Sequence, residues 1–184
     1  RSSKLSIEDM KNELMLSVSN FSVTIVHGGT GSGKTTQLPQ YLRQVFPKGR
    51  IALCQPYKES LDPILDRIRE QIPDKKVFQI THKQHDKDSI NAMAEEDGIF
   101  VMTHTTMLFQ MLYDANFEQY KCIIIDEPHE RLVDTDVLIA FMILMLKEAK
   151  SLAPKFILSS ATLDSDHIMR VLGEVGQNMC NVLE

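Results

Sequence analysis

The chain has 184 residues, 43% of them hydrophobic and 24% charged, with a formal net charge of −5. That length and apolar content support one buried core and argue against a disordered chain. The acidic balance excludes an unselective electrostatic binder of nucleic acid, so a polyanion would have to be gripped in a local groove.

Ile7, Met10, Leu14 and Val18 stand at helical spacing, and Ser19-Asn20 ends that pattern. Phe21 to Val26 is a short strand leading into glycines. Lys34 to Phe46 is helical and is stopped by Pro47-Lys48-Gly49. Ile51 to Cys54 is a second strand, Ser60 to Ile72 a helix and Val77 to Ile80 a third strand. The polar stretch His82 to Glu96 is a loop with a surface helix. Ile99 to Met102 is a strand, Thr105 to Tyr113 a helix, and Lys121 to Asp126 a strand ending in acid. Thr135 to Lys150 is a strongly apolar helix, Phe156 to Ser159 a strand and Asp164 to Leu172 a last helix. Short apolar strands alternating with helices predict an α/β fold, a mainly parallel sheet with helices on both faces. There is no internal repeat or linker, so residues 1–184 are expected to form one domain.

Three cysteines, Cys54, Cys122 and Cys180, make no Cys-x-x-Cys pair, and the first two lie in apolar strands. They read as reduced core residues in a reducing compartment, the cytosol or nucleus. Arg1-Ser2-Ser3-Lys4 opens no signal peptide. The longest apolar run, Val137 to Leu146, is too short to span a bilayer and reads as a buried helix, so no membrane partner is expected.

Gly28-Gly29-Thr30-Gly31-Ser32-Gly33-Lys34-Thr35 fits G-x-x-x-x-G-K-[ST] between a strand and a helix. Glycines let a loop fold tightly and turn its N–H groups toward phosphate oxygens, and the following helix adds its positive end. Gly28 through Thr36 are therefore the candidate ATP-binding residues. Lys34 would reach the β- and γ-phosphates, and the Thr35 hydroxyl would meet Mg²⁺. The apolar strand Cys122-Ile123-Ile124-Ile125 delivers Asp126 and Glu127 at its carboxyl end, where open α/β sheets bind ligands. Asp126 would hold Mg²⁺ with Thr35, and Glu127 would orient and deprotonate the attacking water.

Asp126-Glu127-Pro128-His129-Glu130-Arg131 resembles the Asp-Glu-Ala-His-Glu-Arg of the DEAH-box RNA helicases of superfamily 2. Ser160-Ala161-Thr162-Leu163-Asp164 is similar to that family's third motif, and Thr35-Thr36-Gln37-Leu38-Pro39-Gln40 to its extended phosphate loop. The motifs keep order and spacing from about Ile7 to Leu172. The resemblance implies a P-loop NTPase of RecA-like fold, the first domain of a pair. It implies an enzyme that couples ATP hydrolysis to binding and unwinding RNA. It assigns His129, Ser160, Ala161 and Thr162 to the coupling of nucleotide state to domain movement. Gln55-Pro56, with Lys58, and Thr105 fall where the family touches RNA. Single-stranded RNA is thus the implied partner, held in a groove shared with a second RecA-like domain.

This chain departs from the pattern at Gly29 (usually Glu), Pro128 (usually Ala), Tyr57-Lys58 (usually Arg-Arg), His104 (usually Thr) and Thr106 (usually Gly). Pro128 restricts the backbone of Glu127. The ATP residues are intact, while the RNA motifs are altered. The chain ends before the family's motifs IV to VI and its arginine finger, so it reads as part of a longer protein. Without that finger, worth about 10³–10⁵ in rate, hydrolysis by this piece is expected to be slow. A scaffold that uses ATP binding to switch a protein partner is the alternative that the altered RNA motifs raise.

Other signals read as structural. His82 and His85 lack a third metal ligand, and Lys83, Asp86, Lys87 and Asp88 form a solvated face. Met142 and Met145 are core packing. His27, at a strand end, needs no catalytic role.

Overall fold

Every strand of the domain runs parallel to its neighbours, so the carboxyl ends of all of them reach one edge of the sheet. The computed structural model describes residues 7–29, 33–81, 92–113, 119–128, 133–148, 153–162, 168–173 and 180–183. The elements in chain order are α1 (Ile7–Asn20), β1 (Val23–His27), α2 (Lys34–Val45), β2 (Arg50–Gln55), α3 (Leu61–Gln71) and β3 (Val77–Gln79). They continue with β4 (Gly98–Thr103), α4 (His104–Tyr113), β5 (Tyr120–Asp126), α5 (Val133–Glu148), β6 (Lys155–Ser160), α6 (168–173) and β7 (Cys180–Leu183). The sheet order is β3-β4-β2-β5-β6-β1-β7. Most of the polar stretch 82–96 lies outside the described residues.

Alternation along each strand divides the core in two. Val23, Ile25, Ala52, Cys54, Phe100, Met102, Ile123, Ile125, Phe156 and Leu158 face one side and pack with Met107, Leu138, Met142, Leu146, Ile168 and Leu172 of α4, α5 and α6. Val26, Ile51, Leu53, Ile99, Val101, Cys122, Ile124 and Ile157 face the other and pack with Leu14, Leu38, Leu42, Leu61, Leu65 and Ile68 of α1, α2 and α3. The result is a helix–sheet–helix sandwich, as strands buried on both faces require. Cys54 and Cys122 are buried and unpaired in it.

Two expectations change. The sheet gains a strand, β7, that the sequence did not announce: four residues with Asn181 inside carry too little pattern, yet β7 pairs in parallel with β1 from Val23 to Val26. The apolar run in α5 is buried on one face only. Leu138, Met142 and Leu146 enter the core, whereas Val133, Val137 and Leu144 are exposed. No helix among the described residues is long and apolar enough to cross a membrane.

Phe156, 1% exposed on the inner strand β6, is among the largest fully buried side chains. Phe156→Ala is expected to destabilise the domain by about 3–5 kcal/mol, read from denaturant unfolding. A loss below about 1 kcal/mol would place Phe156 outside the load of the core.

Candidate functional site

The register aligns the strand ends that carry the chemistry. His27 of β1 pairs with Ser160 of β6, Ser159 of β6 with Asp126 of β5, and Gln55 of β2 with Thr103 of β4. The described phosphate-loop residues, the acidic pair and the Ser-Ala-Thr segment are thereby gathered at one edge.

Gly33 starts α2 with φ 80°, a left-handed conformation that suits glycine. Its carbonyl accepts from the backbone N–H groups of Thr36 (3.1 Å) and Gln37 (3.0 Å) and from the Thr36 hydroxyl (3.2 Å). Lys34 is folded back onto the loop and donates to the carbonyls of Gly28 and, at 3.1 Å, Gly29. A Cβ at Gly28 would stand 3.0 Å from Lys34 Cδ, so a side chain there would crowd the lysine. Burial pushes the Lys34 pKa down, and the charges of Glu127 and Asp126 oppose that fall. The ammonium thus sits in a desolvated place beside acids, poised for an anion that could replace the carbonyls as its partner.

Asp126, 1% exposed, ends β5. Its Oδ2 accepts from Thr35 Oγ1 at 2.7 Å and from Gln55 Nε2 at 2.8 Å. Its Oδ1 is buried and has no hydrogen-bond partner among the described residues. A buried carboxylate oxygen without a donor is costly. A cation beside it would relieve that cost. No group of three or more His, Cys, Asp or Glu side chains among the described residues forms a metal cage. Mg²⁺ needs none, because it keeps waters and binds through one or two carboxylates plus substrate phosphates. The adjoining Thr35 hydroxyl and Asp126 carboxylate suit that kind of site.

Glu127 departs from the pre-proline preference for extended backbone. Its φ is 52°, in the left-handed region, at a cost on the order of 1–3 kcal/mol. Its N–H donates to the Ser159 carbonyl (2.8 Å), and its Oε2 accepts from Ser160 Oγ (3.4 Å). Ser160 Oγ in turn accepts from the Thr162 N–H at 3.1 Å. Two contacts to β6 hold the conformation that sterics disfavour, and they bind Glu127 to the Ser-Ala-Thr segment.

The residues predicted to touch RNA follow the ends of the neighbouring strands β2 and β4, where Gln55 pairs with Thr103. Gln55 is buried and turned to Asp126, while Lys58 is exposed on the 3₁₀ turn Lys58–Ser60 that follows Pro56 and Tyr57. Thr105 donates to the Asp134 carboxylate on α5 at 2.5 Å. Thr30, Gly31, Ser32, His129, Glu130, Arg131, Leu163 and Asp164 lie outside the described residues, as do His82, Lys83, His85, Asp86, Lys87 and Asp88.

In the sequence His104 stands out only as a departure from the family pattern, with no role of its own. It is fully buried at the start of α4 and touches Thr135, Cys54 and Asp126. Burial lowers its pKa against the opposing backbone hydrogen bonds at Asp126 and Cys54, which favours the neutral ring. A histidine directly after a strand carries no periodic signal that would have marked it.

A parallel sheet layered with helices, carrying a phosphate loop after β1 and an acidic pair after β5, defines a P-loop α/β domain of RecA-like architecture. The model of the DEAD/DEAH box helicase family matches residues 10–171, and the chain belongs to that family. It is similar to the human ATP-dependent RNA helicase DHX33, with 32% identity over 169 residues, or 88% of this chain and 23% of the relative. The mouse protein of the same name is 32% identical over 163 residues, covering 85% of this chain and 23% of its own length. The chain thus spans about a quarter of the length of these relatives.

Proposed function

We propose that this chain is the ATP-binding motor domain, first of a RecA-like pair, of an ATP-dependent RNA helicase. One observation carries the reading: Asp126 joins the phosphate-loop residue Thr35 to Gln55 through a single oxygen and keeps the other oxygen open. That arrangement suits a site that holds a metal–nucleotide complex beside a nucleic-acid segment.

In this proposal the loop from Gly28 to Thr36 cradles the phosphates of ATP, and Lys34 gives up its loop carbonyls for phosphate oxygens. Thr35 and Asp126 hold Mg²⁺, which supplies charge neutralisation at the phosphates. Glu127 takes a proton from the attacking water. Ser160 holds the Glu127 carboxylate, so a shift of the Ser160-Ala161-Thr162 segment or of His129 would alter the base. Pro56, Lys58 and Thr105 meet single-stranded RNA with the second domain, and Gln55 reports that contact to Asp126. The names of the human and mouse relatives support this reading. The buried, unpaired Cys54 and Cys122 fit a cytosolic or nuclear protein.

The test is strand separation by the intact protein, using an RNA duplex with a single-stranded tail. ATP-dependent release of the short strand, absent with ADP, is expected. ATP binding with no strand release at any protein concentration would favour a nucleotide-switched scaffold for a protein partner.

A further inference from the structure

His104 joins four elements through one ring. Its Nε2 lies 2.9 Å from the Asp126 carbonyl oxygen and 3.2 Å from that of Cys54, and its Nδ1 lies 2.7 Å from Thr135 Oγ1. Carbonyl oxygens only accept, so the hydrogen resides on Nε2 and is shared between the two strand ends. In the neutral ring Nδ1 then accepts from the Thr135 hydroxyl. The ring therefore spans from α4 to β2, β5 and α5.

The two carbonyls belong to consequential residues. Cys54 precedes Gln55, whose amide donates to the Asp126 carboxylate. Asp126 is thus held twice: its backbone by His104 and its side chain by Thr35 and Gln55. A side chain can aim a metal-binding oxygen only if its own backbone is fixed, and supporting hydrogen bonds of this kind tune metal sites. Neighbouring Thr105 anchors the same helix start to Asp134, so the α4 terminus and the Asp126 backbone are tied to the start of α5 together.

We propose that His104 is a positioning residue for the Asp126 carboxylate: its Nε2–H fixes the ends of β2 and β5 so that Asp126 meets the metal of a bound nucleotide. The inference rests on the nucleotide–Mg²⁺ reading above. It assigns the effect to one ring nitrogen, and the two nitrogens can be tested apart. The amide nitrogen of glutamine stands at the reach of Nε2, and that of asparagine at the reach of Nδ1. His104→Gln keeps the donor to the carbonyls, whereas His104→Asn loses it and keeps the reach to Thr135.

The measurement is the affinity of the intact protein for a fluorescent ADP with and without Mg²⁺. The factor by which Mg²⁺ tightens binding should be near wild type in His104→Gln. It should fall about tenfold or more in His104→Asn, the loss usual for a residue that supports a metal ligand. Affinity without Mg²⁺ should be unchanged in both, because the Lys34 loop is untouched. A merely structural histidine would lower the melting temperature and leave the Mg²⁺ factor alone. Should His104→Asn fail to fold, His104→Met fills similar space without a donor and is expected to show the same loss. An unchanged Mg²⁺ factor in the donor-less variant, or an equal loss in His104→Gln, overturns the proposal. If Mg²⁺ fails to tighten binding by the wild-type protein, the nucleotide–metal reading itself fails.

Discussion

Glu127→Gln is expected to lower RNA-stimulated ATP turnover by about 10²–10⁴-fold, the usual contribution of a positioned general base. The carboxamide keeps the length of the side chain and can still accept from Ser160 Oγ, so the link to β6 survives. It cannot take a proton from water. Nucleotide affinity and melting temperature should therefore stay near wild type while kcat falls. The left-handed backbone of Glu127, held by its N–H bond to Ser159, is untouched by the change. Turnover within a factor of about two of wild type would move the base to another residue, since such a change corresponds to under roughly 0.5 kcal/mol of barrier.

Lys34→Ala carries the second large effect. Removing one partner of a buried charge-assisted contact costs on the order of 2–5 kcal/mol, or roughly 30- to 5000-fold in Kd for ATP. The fold should not suffer. Without nucleotide the Lys34 ammonium is desolvated and its pKa is lowered, so the folded state binds this proton less tightly than the unfolded chain. Stability of the nucleotide-free protein should then rise with pH between the lowered value and the ordinary lysine range. Lys34→Ala should flatten that part of the profile. Equilibrium ATP titration and a melting series against pH read both effects. Tight ATP binding by a normally folded Lys34→Ala protein would remove the phosphate-cradle argument.

The legible parts of this molecule were those whose chemistry fixes local sequence. A loop that turns its N–H groups inward needs glycines at set positions, so Gly28, Gly33 and Lys34 announce themselves. An acidic pair after four apolar residues places Asp126 and Glu127 at a strand end. The strands were legible because parallel strands buried on both faces are short apolar runs. What escaped depends on tertiary neighbours. Residues 180–183 form β7 only because β1 offers a free edge. The exposed face of α5 also carries Val133, Val137 and Leu144, so the apolar run hides which side is buried. The bond from the Gln55 amide to Asp126, a residue 71 positions away in the chain, is likewise set by the fold. His104 gathers partners 22 to 50 positions distant, which no spacing rule covers.

The motor reading is tested most directly by ATP hydrolysis by the intact protein with and without single-stranded RNA. Turnover that rises steeply with RNA and is lost in Glu127→Gln is expected. ATP binding with turnover indifferent to RNA would contradict it, and would leave a nucleotide-responsive scaffold as the reading to pursue.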